Sequence, residues 1–140
     1  MLRLVELLSF LLGAIIISFS DLRYRIIRNR DLVLLLLIGL ALNLSQDLHP
    51  NFSYLIYVTL ITLALLVLFR GKIGAGDLKL FWVLSFWVPS FTKWLEGLSF
   101  SWILGGLFAI LYLAFKDRSR QRNMSIPFAP FIFLGFLPTI

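Results

Sequence analysis

Cysteine is absent from the chain, and histidine occurs only once, at His49. The missing cysteine excludes disulfide bridges and metal sites built from thiolates. Only 14% of the 140 residues are charged, whereas 60% are hydrophobic. A soluble domain of this size cannot bury that much apolar side-chain surface, so the composition favours a membrane protein. The length is typical of a single domain, which we place at residues 1–140.

Six apolar segments follow one another along the chain and predict an all-α, polytopic bundle of about six transmembrane helices. Several are shorter than the roughly 20 residues that cross a bilayer, so we expect the helices to extend a turn beyond the apolar residues. The last segment contains Pro127, Pro130 and Pro138, and a kinked or re-entrant sixth segment is therefore an open alternative. The segments are Val5–Ser20, Leu32–Leu44, Ser53–Phe69, Leu78–Phe91, Leu98–Phe115 and Ile126–Ile140.

The basic residues are concentrated in alternate loops. Eleven of the thirteen lysines and arginines lie in the first, third and fifth loops with their flanks, and only Arg3 and Lys93 lie elsewhere. The positive-inside rule then predicts a multi-pass protein of the cytoplasmic membrane with both termini outside. The net charge of +6 does not favour nucleic acid as a partner, because the charges form short clusters between apolar runs; membrane lipids are the expected contact.

Two aspartates, Asp21 and Asp77, lie at predicted cytoplasmic boundaries of the first and fourth segments. If those helices are neighbours, the two carboxyl groups meet at one depth. Two carboxyl groups that lie so near each other share one proton near neutral pH. The ionised group can then draw a proton from water while the protonated group polarises a carbonyl group. This is the chemistry of aspartic peptide hydrolysis, which needs no metal or organic cofactor. Gly74 and Gly76 allow a tight turn before Asp77 and the close approach of a substrate backbone.

Each aspartate also has a purely structural interpretation. Asp77 can cap the fourth helix, with the two glycines forming an ordinary turn, and Asp21 can pair with Arg23 or Arg25. Asp31 directly precedes the second apolar run, so we predict that it is the N-cap of the second helix. It is also the main rival to Asp21 for a catalytic role.

Three stretches resemble the motifs of type IV prepilin peptidases. DLRYRIIRN, residues 21–29, is similar to the family's first motif, an aspartate and arginine followed by an Ile-Pro-Asn-like turn, with Arg28 in place of the usual proline. GAGDLKL, residues 74–80, resembles the G-x-G-D-x-K-L motif. IPFAPFIFLG, residues 126–135, resembles the proline-rich start of the C-terminal helix. The three occur in the expected order over nearly the whole chain, which is far more specific than G-x-G-D alone.

This resemblance implies a membrane aspartic endopeptidase whose catalytic pair is Asp21 and Asp77, with its active site on the cytoplasmic side. The expected partners are pilin-like or flagellin-like precursors with a basic leader and an apolar helix, cut after a small residue. Without cysteine pairs or room for a further cytoplasmic domain, the chain resembles the short forms, and no N-methyltransferase activity is expected. The supporting or substrate-groove residues would be Gly74, Gly76, Lys79, Asn29, Pro127 and Pro130.

The same residues permit further interpretations. A small ion- or proton-coupled transporter would use the carboxylates as ion sites, and a non-catalytic pilus or secretion assembly subunit would need them only as helix caps. No metal site is expected, because His49 lies in a loop predicted to be on the opposite side from both acids. We expect Lys79 to extend to lipid headgroups, and Gly105 and Gly106 to serve close helix packing.

Overall fold

The computed structural model describes residues 2–45, 52–70, 73–115 and 126–140, and the regular structure in these ranges is helical. The prediction of an all-α fold is confirmed, and each apolar segment gives one α-helix. The short 3₁₀ turns Ser85–Trp87 and Leu137–Thr139 follow the fourth and sixth helices. His49, Lys72 and the basic residues of the fifth loop lie outside the described residues. The helices are α1 (Leu2–Tyr24), α2 (Asn29–Ser45), α3 (Phe52–Leu68), α4 (Ala75–Leu84), α5 (Phe91–Ala114) and α6 (Ala129–Phe136).

Two helices, α1 and α5, have the length and apolar composition needed to cross a membrane. The apolar part of α1 has 22 residues and α5 has 24, against the roughly 20 that a bilayer requires. Large apolar side chains on both helices are exposed, such as Ile15 at 65% and Ile103 at 63%. The core helix of a soluble protein would bury such faces, so they favour contact with lipid. Six crossings and the orientation of the termini stay predictions, because α4 has 10 residues and α6 has 8.

The short helix α4 lies in the core and packs against α2, α3 and α6. Its side chains Leu80, Phe81 and Leu84 are fully buried. Indole groups attach it to its neighbours: Trp94 of α5 donates a hydrogen bond to the carbonyl oxygen of Phe81 at 2.8 Å, and Trp87 donates one to α2. Since both contacts satisfy a buried backbone carbonyl, they fix the position of α4 and of the turn that precedes it.

The helices α5 and α6 approach each other closely through glycine. Gly135 of α6 lies against Ser101 of α5, and Gly97 of α5 lies under the ring of Phe136. The Ser101 hydroxyl donates to the carbonyl oxygen of Gly97 at 2.6 Å and also lies 3.2 Å from that of Ile132 in α6. Small residues at such positions allow two helix backbones to come together, as in many membrane helix pairs. This packing determines where α6 begins.

The first helix ends in a left-handed cap. Arg25, the residue after Tyr24, has φ 56°, a conformation that residues with a side chain rarely adopt. Its N–H donates to the carbonyl oxygen of Asp21 at 2.9 Å and closes the last turn of α1. The Ser20 hydroxyl then donates to the carbonyl oxygen of Ile26 at 3.1 Å, so the chain folds back along the helix end.

The predicted N-cap role of Asp31 is wrong. Because of the tight turn after α1, α2 begins at Asn29, three residues before Leu32, where an N-cap at Asp31 would place its start. Asp31 therefore lies inside the first turn, where its carboxylate forms an ion pair with Arg30 at 3.2 Å.

Replacing Gly135 by alanine tests the close approach of α5 and α6. We expect Gly135→Ala to destabilise the protein by about 1–3 kcal/mol, because backbone atoms cannot rotate away from the new methyl group. Its Cβ would lie 2.5 Å from the backbone nitrogen of Ser101 and 2.8 Å from the carbonyl oxygen of Gly97. Thermal unfolding in one detergent measures the effect. The matched control is Gly106→Ala, whose Cβ has no neighbour within 4 Å. Equal stability of the two variants would contradict the packing.

Two substitutions at Arg25 test the left-handed cap. Arg25→Gly and Arg25→Ala remove the same guanidinium group, but only alanine has a Cβ that is strained at φ 56°. We therefore expect the glycine variant to be the more stable by about 1 kcal/mol. Denaturation followed by tryptophan fluorescence gives the difference. An alanine variant as stable as the glycine variant would show that the cap does not have this conformation.

Candidate active site

Asp21 and Asp77 line one cavity of about 620 Å³. The helices that carry the two acids, α1 and α4, do not pack extensively against each other. Each packs against α2 and α6, and α2 and α6 therefore hold the acids in place. Most of the other lining side chains are apolar or absent, so the two carboxyl groups and Arg25 provide its polar chemistry. The complete lining is Asp21, Arg25, Phe69, Ile73, Gly74, Asp77, Trp102, Gly105, Gly106, Ala109, Ile126 and Phe128.

The carboxyl group of Asp21 is held by the start of α6. Asp21 lies in the last turn of α1 and is only 6% exposed. Its Oδ2 accepts a hydrogen bond from the backbone N–H of Ala129, the first residue of α6, at 3.0 Å. The backbone N–H groups at a helix N-terminus lack partners within their own helix, so this contact satisfies the amide and orients the carboxyl group. The structural interpretation drawn from the sequence paired Asp21 with Arg23 or Arg25 and did not include a backbone amide as its partner.

Pro127 and Pro130 flank this amide. Pro130 lies in the first turn of α6, where its missing N–H costs no hydrogen bond, and Pro127 precedes the helix. The residues on either side of Pro127, Ile126 and Phe128, line the cavity. The two prolines therefore limit α6 to a start at which the Ala129 amide faces Asp21.

Asp77 lies in the first turn of α4, and it is not the cap of that helix. The N-cap position belongs to Gly74, whose carbonyl oxygen accepts the N–H of Asp77 at 3.1 Å. A Cβ on Gly74 would lie 2.8 Å from Oδ2 of Asp77, so glycine leaves the room that this carboxyl group occupies. The alternative in which Asp77 is only a helix cap is therefore wrong.

The two acids influence each other across the cavity. Asp77 is partly buried, precedes the apolar segment that begins at Leu78, and lies outside the two helices long enough to span a membrane. Burial raises the pKa of Asp77 to about 7, and the negative charge of Asp21 contributes to the same rise. Asp77 thus retains its proton at a pH where an ordinary aspartate has lost it.

Gly76, Asn29 and Lys79 connect the elements that carry the two acids. The Nζ of Lys79 donates to Oδ1 of Asn29, the first residue of α2, at 3.1 Å, and its extension to lipid headgroups stays a prediction. Gly76 lies against Ile27 of the same connection, and a Cβ there would come within 3.1 Å of the Ile27 Cβ. Both contacts join the segment after Asp21 to the turn that holds Asp77.

One face of α5 supplies a wall of the cavity that the sequence did not reveal. Trp102, Gly105, Gly106 and Ala109 are spaced as i, i+3, i+4 and i+7, and this helical periodicity was the available signal. The expected packing role holds for Gly105, which lies under the ring of Phe128. It is wrong for Gly106 within the part of the chain that the structure describes, because no heavy atom there, apart from the adjacent backbone of α5, lies within 4 Å of the position that its Cβ would take.

Among the described residues, no three His, Cys, Asp or Glu side chains are grouped so that they could hold a metal ion. The groups that can take part in chemistry are two carboxyls in different surroundings. Asp77 is partly buried and holds a proton near neutral pH. Asp21 accepts a hydrogen bond from a backbone amide. Such a pair is suited to general acid–base catalysis on a substrate that enters the cavity between them.

Comparisons with known proteins bear on the sequence that builds this site. No match was found among curated proteins or among solved structures. The sequence model of the type IV leader peptidase family matches residues 8–114, a range that includes Asp21 and Asp77 and ends before the proline-rich start of α6. The members of this family are membrane-associated peptidases. Because the match covers more than half of the chain, the protein belongs to the type IV leader peptidase family.

Proposed function

We propose that this protein is an aspartic endopeptidase of the cytoplasmic membrane that removes the short leader from pilin-like or flagellin-like precursors. The observation that supports this most directly is the single cavity lined by Asp21 and Asp77. Two acids from distant parts of the sequence share it, and the charge of one raises the pKa of the other. A pair that serves only as helix caps has no reason to share a cavity.

In the proposed reaction the two acids begin with one proton between them, held by Asp77. The ionised Asp21 removes a proton from a water molecule, whose oxygen attacks the scissile carbonyl carbon. Asp77 gives its proton to the carbonyl oxygen, and a neutral tetrahedral intermediate forms. Asp21 then passes its new proton to the leaving nitrogen while Asp77 takes one back from a hydroxyl group of the intermediate. The C–N bond breaks, and the pair again holds one proton.

The surroundings of the acids agree with this sequence of steps. The amide of Ala129 bonds to Oδ2 of Asp21 and orients the carboxyl group that, in these steps, accepts a proton from water. The partial burial of Asp77 stabilises its neutral form, which donates to the carbonyl oxygen. The apolar walls contributed by the α3–α4 connection, α5 and the segment before α6 suit a precursor whose apolar helix follows the cleavage site. The cytoplasmic location of the cavity rests on the distribution of basic residues.

Replacing either acid tests the proposal. Asp21→Asn and Asp77→Asn should each slow leader removal by on the order of 10²–10⁴-fold, because each removes the group that carries two of the proton transfers. Leader loss is read as a gel shift after co-expression with a pilin-like precursor. Asp31→Asn is the matched control, since that acid lies near the same connection but is paired with Arg30. It should cleave normally. Normal cleavage with either Asp21 or Asp77 replaced, at equal protein level in the membrane, would overturn the proposal.

Asp21→Asn and Asp77→Asn also distinguish a peptidase from a transporter and from an assembly subunit. A transporter that uses the acids as ion sites would keep precursor cleavage in both variants and lose ion flux in vesicles. An assembly subunit would lose neither and would impair only pilus or secretion assembly.

The proposed reaction also predicts a pH dependence. Because the pKa of Asp77 is raised to about 7, its proton is present below that pH and lost above it. Initial rates of leader removal should therefore fall as pH rises through about 7, tending to tenfold per pH unit once both acids are ionised. Purified protein in detergent and one fixed precursor suffice, with precursor binding to Asp77→Asn measured over the same range. A rate that stays constant from neutral to strongly alkaline pH would contradict the assignment of the proton to Asp77.

A further inference from the structure

The neighbouring glycines of α5 differ in what occupies the space beside them. At Gly105 the ring of Phe128 takes the place of a side chain, and the residue is buried. At Gly106 the corresponding space is open among the described residues: apart from the adjacent backbone of α5, none of their heavy atoms lies within 4 Å of an added Cβ. Both residues line the cavity that contains Asp21 and Asp77. The protein therefore fills one of the two positions itself and leaves the other unfilled next to its acids.

The open position has apolar boundaries. Phe69, the residue after α3, and Trp102 of α5 meet edge to face, with ring centroids 6.1 Å apart, and both line the cavity. Trp102 precedes Gly106 by one helical turn, and Ala109 follows it on the same face of α5. Phe128, seated on Gly105, bounds the neighbouring position. Aromatic rings and small residues beside this position are suited to an apolar side chain, because most of the surface that they offer is apolar.

We propose that Gly106 is a specificity-determining residue: the open space beside it receives an apolar side chain of the precursor next to the scissile bond, and the absence of a side chain at 106 sets the largest size that fits. This inference rests on the proposed peptidase function and adds to it a residue that contacts substrate without taking part in proton transfer. Cleavage by the acids requires the substrate backbone to lie between them, and Gly106 lines the same cavity.

The proposal predicts that a larger side chain at residue 106 and a larger side chain in the substrate compete for the same space. Gly106→Ala, Gly106→Val and Gly106→Leu add progressively larger groups to the space. For precursors with leucine or phenylalanine at one of the two residues flanking the scissile bond, each step should raise KM by about tenfold or more. For precursors with alanine at both residues, kcat/KM should change little with Gly106→Ala. The value of kcat should be retained better than KM, because the acids are untouched.

Two controls separate this effect from misfolding. Gly106→Ala should unfold at the same temperature as wild type or higher, since alanine is the better helix former and meets no neighbour. Gly105→Ala, the same change one residue earlier, should unfold at a lower temperature and impair all precursors alike, because it displaces Phe128 and with it the start of α6. Ile103→Phe adds bulk to the exposed face of α5, where the native side chain is 63% exposed, and should leave kinetics unchanged.

The outcomes are distinct. If wild type cleaves in a manner that depends on Asp21 and Asp77, but the Gly106 variants affect all precursors equally or none, Gly106 does not determine specificity and the proposed function stands. If wild type cleaves no precursor, or cleaves without the two acids, the proposed function itself fails. A KM that depends on the combined size of residue 106 and the substrate residue supports the inference.

Discussion

The hydrogen bond from the Ala129 amide to the Asp21 carboxylate is the contact on which the cavity depends. It joins the last turn of α1 to the first turn of α6, which are far apart in sequence, and it is buried. The amide of Ala129 satisfies one oxygen of this buried carboxyl group, so the start of α6 contributes to holding Asp21 at this position. Other walls of the cavity, including Ile126 and Phe128, are positioned by the same short segment.

The position of α6 is in turn determined by small residues on α5. Gly97 admits the ring of Phe136, and the contact between Gly135 and Ser101 brings the two backbones together. Glycine packing between α5 and α6 therefore positions the start of α6, and the start of α6 in turn orients Asp21. On the other side, the Lys79–Asn29 hydrogen bond ties the α1–α2 connection to the turn that carries Asp77. Each acid is thus held by contacts made outside its own helix.

The sequence predicted the parts of this arrangement that depend on patterns of side chains. Apolar segments predicted all six described helices, and a shared boundary predicted that Asp21 and Asp77 lie together, because hydropathy and charge are properties of the side chains themselves. Backbone features escaped prediction. The amide of Ala129 is a donor that nearly every residue possesses. The left-handed conformation of Arg25 occurs at a residue type that does not favour it, and for this reason the early start of α2 and the location of Asp31 were missed. Gly105 and Gly106 are identical letters, and only the placement of Phe128 distinguishes them.

The empty space at Gly106 has a consequence for the evolution of this protein. Glycine codons become alanine or valine codons through one base change, and at this position the fold offers no resistance to a small added side chain. On the proposed role of Gly106, variation that alters which partner is processed can then accumulate while folding and the acids stay intact. At Gly105 the same mutation meets an aromatic ring and is removed by selection for a folded protein. Two adjacent positions of one helix are therefore exposed to different selective pressures, one from the partner and one from the fold.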